Sequence, residues 1–150
     1  MSHSSLYNLE QSILPWIGKT GKWIGLYIMD KFKEHDLNLT MEQLIVLKVL
    51  HDQDGMIQNR LAHITDRNKT SLTRLVQTME KYRLIARYPD EKDKRINRIF
   101  LTKHGSEVFK STFPIMDEVK SDLQKGLTKV EIKTLIQILQ KVQKNIKPDC

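Results

Sequence analysis

Apolar residues recur along this chain at intervals of three and four, interrupted by short polar stretches, so most of it reads as amphipathic helix. From Ile13 the stripe runs through Trp16, Ile17, Trp23, Ile24, Tyr27, Ile28 and Phe32, and Pro15 is tolerable in a first turn. Gly18, Gly21 and Gly25 each weaken such a helix by roughly 1 kcal/mol relative to alanine. It therefore needs a neighbour, and the glycines let another helix come close. Thr40-Met41-Glu42-Gln43 has the form of a capping box and opens a second helix with Leu44, Leu47 and Leu50 on one face. Asp52-Gln53-Asp54-Gly55 reads as the turn that ends it. A short helix is expected around Gln58 to Ile64, and Asn68 suits the N-cap of a longer one from Lys69 to about Tyr82.

Leu84 to Tyr88 and Ile96 to Leu101 lose the helical period and turn β-branched and aromatic, with the charged, turn-rich Pro89-Asp90-Glu91-Lys92-Asp93-Lys94 between them. That pattern predicts a two-stranded hairpin with a long tip. Thr102 can cap a fifth helix carrying Val108, Phe109, Phe113, Met116, Val119 and Leu123, which Pro114 should kink and Gly126 stop. Thr128-Lys129-Val130-Glu131 is a second capping box, and the last helix presents Val130, Leu135, Ile138, Leu139 and Val142 before Pro148. The fold class is thus mainly α with a small β-hairpin: six helices containing a helix-turn-helix, followed by a wing.

Charge sharpens this picture. Residues 67–103 hold 11 Lys/Arg against 4 Asp/Glu, a surplus equal to the net +7 of the whole chain. Like-charge blocks usually stay solvated tails, but these cations are spaced through a helix and a hairpin, so folding gathers them on one surface. A localised positive surface attracts polyanions by releasing their counterions, which points to nucleic acid. Composition agrees with a globular protein of one domain, at 39% hydrophobic and 29% charged residues. No apolar run could span a bilayer, and Met1-Ser2-His3-Ser4-Ser5 has no signal-peptide character. The only cysteine is Cys150, so no internal disulfide forms; a cytoplasmic protein is expected.

The helix 69–82 has two faces: Leu72, Leu75, Val76 and Met79 inward, and Thr70, Thr73, Arg74, Gln77 and Lys81 outward. Arg74 can fork onto a guanine edge or a phosphate, Gln77 matches an adenine edge, and Thr73 joins them in base readout. Lys69, Thr70 and Ser71, in the first turn, suit phosphate. At the hairpin tip, Asp93 and Arg95 can pair and aim the guanidinium outward toward a minor groove, with Lys92, Lys94 and Arg98 around it. The bland alternatives are a solvated helix face and a charged loop that guards an edge strand. The capped start, the basic wing and the segregated charge together favour DNA.

At these residues the chain resembles the MarR family of bacterial transcription regulators. Leu37-Asn38-Leu39-Thr40-Met41-Glu42-Gln43-Leu44-Ile45-Val46-Leu47 looks like the family's approach to its second helix. Leu61-Ala62 and Leu72-Thr73-Arg74-Leu75-Val76 resemble its helix-turn-helix, and Asp93-Lys94-Arg95 with Leu101-Thr102 resembles its wing signature. Glu80-Lys81-Tyr82-Arg83-Leu84-Ile85 follows the end of its recognition helix, except that Arg83 stands where glycine is usual.

The resemblance implies one domain over residues 1–150, with a DNA-binding lobe at about 37–103 and dimerisation helices at about 6–36 and 103–147. It implies a homodimer that reads a palindromic duplex, with half-sites roughly 10 bp apart, as a repressor. It further implies a small aromatic or phenolic effector lodged between dimerisation helices and DNA-binding lobe, where Trp16, Trp23 and Tyr27 could line the cleft; at helical spacing these three are otherwise core or dimer contacts.

Other signals are discounted. Asp52-x-Asp54-Gly55 resembles the start of a calcium loop, but Ile57 and His63 stand where that loop needs its glycine and glutamate. His3, His35, His51, His63 and His104 are dispersed, and Cys150 has no activating neighbour. No catalytic, metal or cofactor motif appears, so an enzyme is not expected. Two other classes remain at this level: a winged-helix interaction module docking an acidic partner, and, remotely, an enzyme acting on a small molecule.

Overall fold

The computed structural model describes residues 9–148; Cys150, His3, the Met1–Ser5 start and the beginning of the first expected dimerisation segment lie outside the described residues. The elements follow in the order α1 (Ile13–Glu34), α2 (Met41–Asp52), β1 (Met56–Ile57), α3 (Gln58–Ile64), α4 (Lys69–Lys81), β2 (Ile85–Pro89), β3 (Asn97–Leu101), α5 (Lys103–Leu123) and α6 (Lys129–Ile146). Among the described residues this is the six-helix winged helix-turn-helix expected from the hydrophobic pattern.

Side chains start the helices where the sequence puts them. The Gln43 N–H donates to the Thr40 hydroxyl at 3.2 Å and the Thr40 N–H to Gln43 Oε1 at 3.0 Å, which closes the first capping box. The second closes through Thr128 and Glu131 at 3.1 and 2.7 Å. Asn68 Oδ1 accepts the Ser71 N–H at 2.8 Å, and the Thr102 hydroxyl accepts that of Gly105 at 2.8 Å. Each cap satisfies an amide that would otherwise lack a partner, worth about 1 kcal/mol.

Three helices stop in one way, each with a residue other than glycine in the left-handed region: Asp36 after α1, Asp66 after α3 and Arg83 after α4, at φ 54, 56 and 58°. In each case two backbone N–H groups fold back onto the last turn. After α4, Arg83 donates to Glu80 C=O at 2.9 Å and Leu84 to Met79 C=O at 3.0 Å. The departure at Arg83 is thus absorbed as backbone strain, with the helix end unchanged.

The hairpin is larger than expected. β1 joins it, giving an antiparallel sheet in the order β1-β3-β2, with Met56 opposite Ile99 and Ile85 opposite Leu101. Two residues are too few to show an alternating period, so the pattern alone assigns Met56 and Ile57, between the turn and the next helix, to no element. Asp54 secures this edge: its Oδ1 accepts the Leu101 N–H at 2.8 Å, which is the structural use of the false calcium motif.

Two compact units divide the chain, one ending at Met116 and the other starting at Asp117, so the boundary falls inside α5 shortly after Pro114. The first unit has a continuous core. Phe32, Val46, Leu47, Leu50, Leu61, Leu72, Val76, Met79 and Ile99 are all buried, each contributing about 1.5–3 kcal/mol of apolar transfer. In the second, α6 buries no side chain, while Val119 on α5 is buried.

Where α5 leaves the sheet, a methyl group placed on Gly105 would come 1.9 Å from the Leu84 carbonyl oxygen. Gly105→Ala must push backbone apart and should destabilise the protein by about 2–3 kcal/mol in chemical denaturation. Arg83→Gly should do the reverse, raising stability by roughly 1 kcal/mol through relief of the left-handed strain.

Candidate nucleic-acid interface

Helix α4 buries Leu72, Val76 and Met79 and leaves Lys69, Thr70, Arg74, Gln77, Thr78 and Lys81 exposed, so the two expected faces are real. Thr73 differs from expectation. It is half-buried, its hydroxyl donates to Lys69 C=O at 2.7 Å, and it accepts from Gln58 Nε2 at 3.2 Å. That hydroxyl locks α3 against α4, so both its donor and an acceptor position are engaged inside the protein.

Ser71 is half-buried too, and its hydroxyl accepts from Arg67 Nη1. Arg67 was not among the expected site residues, because it stands just outside the helix, where no periodicity singles it out. Its other arm, Nη2, lies 3.7 Å from Glu42 Oε1 on α2. An open groove of about 510 Å³ runs beside these groups, lined by Thr40, Gln43, Arg67, Thr70, Ser71 and Arg74 among others.

The wing is organised by two aspartates. Asp90 Oδ2 accepts the N–H groups of Lys92 and Asp93, both at 3.1 Å, while its Oδ1 accepts from Arg98. Asp93 holds Arg95 by three bonds of 3.1 Å, one from the backbone and two from the guanidinium. Arg95 is therefore paired as the spacing suggested, while its side chain remains 90% exposed at the tip beside Lys94. Arg98 does not join it there. Its Nη1 donates to Gly55 C=O at 2.8 Å, so it braces the hairpin against the turn before β1. Arg87, in β2, pairs with Glu80 at 3.1 Å and ties the wing to α4. Among the described residues, Lys69, Arg74, Lys81, Lys92 and Lys94 have no carboxylate partner.

Trp16, Trp23 and Tyr27 share one face of α1. Trp16 and Trp23 are 72% and 61% exposed, so neither sits in an enclosed pocket of the single chain. The ammonium groups of Lys19 and Lys31 lie 5.5 and 5.6 Å from the ring centres of Trp23 and Tyr27. Among the described residues, no three His, Cys, Asp or Glu side chains converge as a metal site, and no helix is long and apolar enough to cross a membrane.

Comparison with known proteins gives this geometry a family. The MarR family model matches residues 39–96, from the start of the helix-turn-helix to the wing tip. An HTH-type transcriptional regulator of Bacillus subtilis, YybA, is 30% identical over 137 residues, covering 91% of this chain and 90% of its own. The chain belongs to the MarR family. Among solved structures, the transcriptional regulator SlyA superposes with a TM-score of 0.79 at 28% identity, covering 92% of this chain and 96% of that one. A MarR family regulator from Listeria monocytogenes, complexed with 26mer DNA, gives 0.76 at 27% identity, covering 92% and 91%. Family membership places this chain among transcription regulators, which are not enzymes.

The aspartates of the wing carry a pH signature. The Arg98 guanidinium, helped by the Asp93 and Lys92 amides, holds the Asp90 carboxyl below its ordinary value. The Arg95 side chain and amide do the same for Asp93, and Asp93 in turn raises Arg95. A depressed carboxyl binds fewer protons folded than unfolded, so its bonds support the wing fully above about pH 5 and weaken as pH drops below roughly 3.9. NMR shifts of the Lys92, Asp93 and Arg95 amides should stay constant from about pH 5 to 8 and move together only below pH 4. A common midpoint above the ordinary aspartate value would refute this account of the tip.

Proposed function

We propose that this MarR-family regulator binds palindromic duplex DNA as a homodimer and represses transcription from the site it occupies. The observation that carries the reading is a rigid unit in which unpaired Lys69 and Arg74 stand on the exposed face of α4, while Asp93 holds Arg95 outward at the wing tip. Arg74 and Gln77 would read base edges in the major groove; Lys69, Thr70 and Ser71 would take phosphate oxygens; Lys94 and Arg95 would enter the minor groove. A related regulator complexed with DNA supports the choice of partner.

The homodimer is supported by apolar surface that one chain leaves open. Ile13, Leu14, Trp16, Trp23 and Leu26 on α1, and Val130, Leu135, Ile136, Ile138 and Ile146 on α6, are exposed. Gly18, Gly21 and Gly25 have open space where a second helix could approach. In this division, residues 37–103 bind DNA and the segments at 6–36 and 103–147 dimerise. A regulator of chromosomal DNA in a bacterium works in the cytoplasm. Lys19 over the Trp23 ring also suits an anionic aromatic effector, a second use of Trp16, Trp23 and Tyr27 that quenching of tryptophan fluorescence by benzoate tests.

Selection of bound duplexes from a random pool should return an inverted repeat with half-sites roughly one helical turn apart. On the selected duplex, Arg74→Ala should cost about 1–3 kcal/mol, more than on random DNA. Arg95→Ala should weaken binding with the dimer intact by sedimentation. A pool that returns no shared sequence would favour the alternative of a basic module docking an acidic protein.

A further inference from the structure

The groove beside α4 holds two arginines and, among its described lining residues, no acid. One of those arginines is already half engaged. Arg67 leaves the chain from a fixed point, because Asp66 is left-handed and the Arg67 N–H closes onto Ala62 C=O at 2.9 Å. Its Nη1 donates to the Ser71 hydroxyl, which occupies a lone pair of that oxygen and leaves the hydroxyl hydrogen to point elsewhere. Its Nη2 stands 3.7 Å from Glu42, beyond hydrogen-bond length, and that carboxylate is 51% exposed. Such a pair is held by charge alone and is weak.

We propose that Arg67 is a DNA-backbone contact whose strength is set by Glu42, the acid holding one arm of the guanidinium until a phosphate displaces it. The proposal rests on the DNA-binding reading above and adds residues which that reading does not use. A phosphodiester in the groove offers what Nη2 lacks, an oxygen at hydrogen-bond distance, and the planar fork fits phosphate oxygens in pairs. The Ser71 hydroxyl, oriented by the other arm, donates to the same group. Glu42 opposes this twice: it neutralises part of Arg67 before binding and repels the phosphate during it. The acid thus sets a ceiling on attraction to any duplex, whatever its sequence.

The test uses the whole 150-residue chain and a fluorescein-labelled random-sequence duplex, with anisotropy followed across a sodium chloride series. Arg67→Ala should weaken binding about fivefold at low salt and reduce the slope of log affinity against log salt by about one. Glu42→Gln should tighten binding about threefold with Arg67 present and have little effect in the Arg67→Ala background. Where Arg67→Ala melts early, Arg67→Lys replaces it in the cycle: it keeps the charge but cannot span Ser71 and phosphate, so the gain from Glu42→Gln should shrink. An equal gain in both backgrounds, or an Arg67 variant with wild-type affinity and slope, overturns the proposal. A wild-type protein that binds no duplex at all overturns the DNA-binding reading itself.

Discussion

The recognition helix and the wing can address one ligand only while the chain between them keeps a fixed angle, and the backbone of Leu84 holds that angle. Its N–H closes the end of α4 on Met79 C=O at 3.0 Å, and its carbonyl accepts from the Thr102 amide and hydroxyl at 3.2 and 3.1 Å. Gly105 packs against the same carbonyl with no room for a methyl group. One residue, through its two peptide groups, therefore joins the end of α4, the start of β2 and the first turn of α5. Leaving such a buried group without partners costs about 1–3 kcal/mol, and here it would also free the wing to swing. The strain at Arg83 is tolerated because the surrounding bonds over-determine the turn.

Around this joint the cations fall into two kinds. Arg87 with Glu80, and Arg98 with Asp90 and Gly55, hold the wing together, and their charge is largely spent inside the protein. Lys69, Arg74, Lys81, Lys92 and Lys94 carry charge outward on a surface that those braces keep rigid. Binding to a polyanion scales with the cations that actually replace counterions, so the net +7 of the basic segment overstates what reaches a duplex. The braced arginines contribute differently: they limit the conformational freedom that would otherwise be lost on binding.

Most of this architecture is legible in the sequence, because it is written in local chemistry. Thr40, Asn68, Thr102 and Thr128 announce helix starts by composition alone, and the buried stripe Leu72, Val76, Met79 follows from the period of α4. What escaped depends on partners distant in sequence. β1 has only two residues and exists because β3 pairs with it. Arg98 looked like one more cation at the tip until Gly55, 43 residues away, claimed it. Thr73 lies on the outward face by helical spacing, but the side chain of Gln58 turns its hydroxyl inward. Gly105 carried no turn signal at all, since its reason is the close approach of Leu84. Arg95 was readable because its partner is two residues away.

Placing an acid beside a phosphate-binding arginine looks counterproductive until the search for a site is considered. Backbone attraction acts on every stretch of duplex equally, so strengthening it leaves the ratio of specific to random binding unchanged while lengthening each stay on wrong DNA. Base readout, which we propose for Arg74 and Gln77, acts only at the right sequence. A carboxylate that takes part of Arg67 out of the backbone interaction shortens the wrong stays and leaves the base term untouched. The arrangement also survives folding at little expense, because a largely solvated pair at 3.7 Å stabilises the native state weakly and constrains neither side chain strongly. Capping at the N-terminus of α2 does not occupy the Glu42 carboxylate, since Thr40 and Gln43 close the capping box between them.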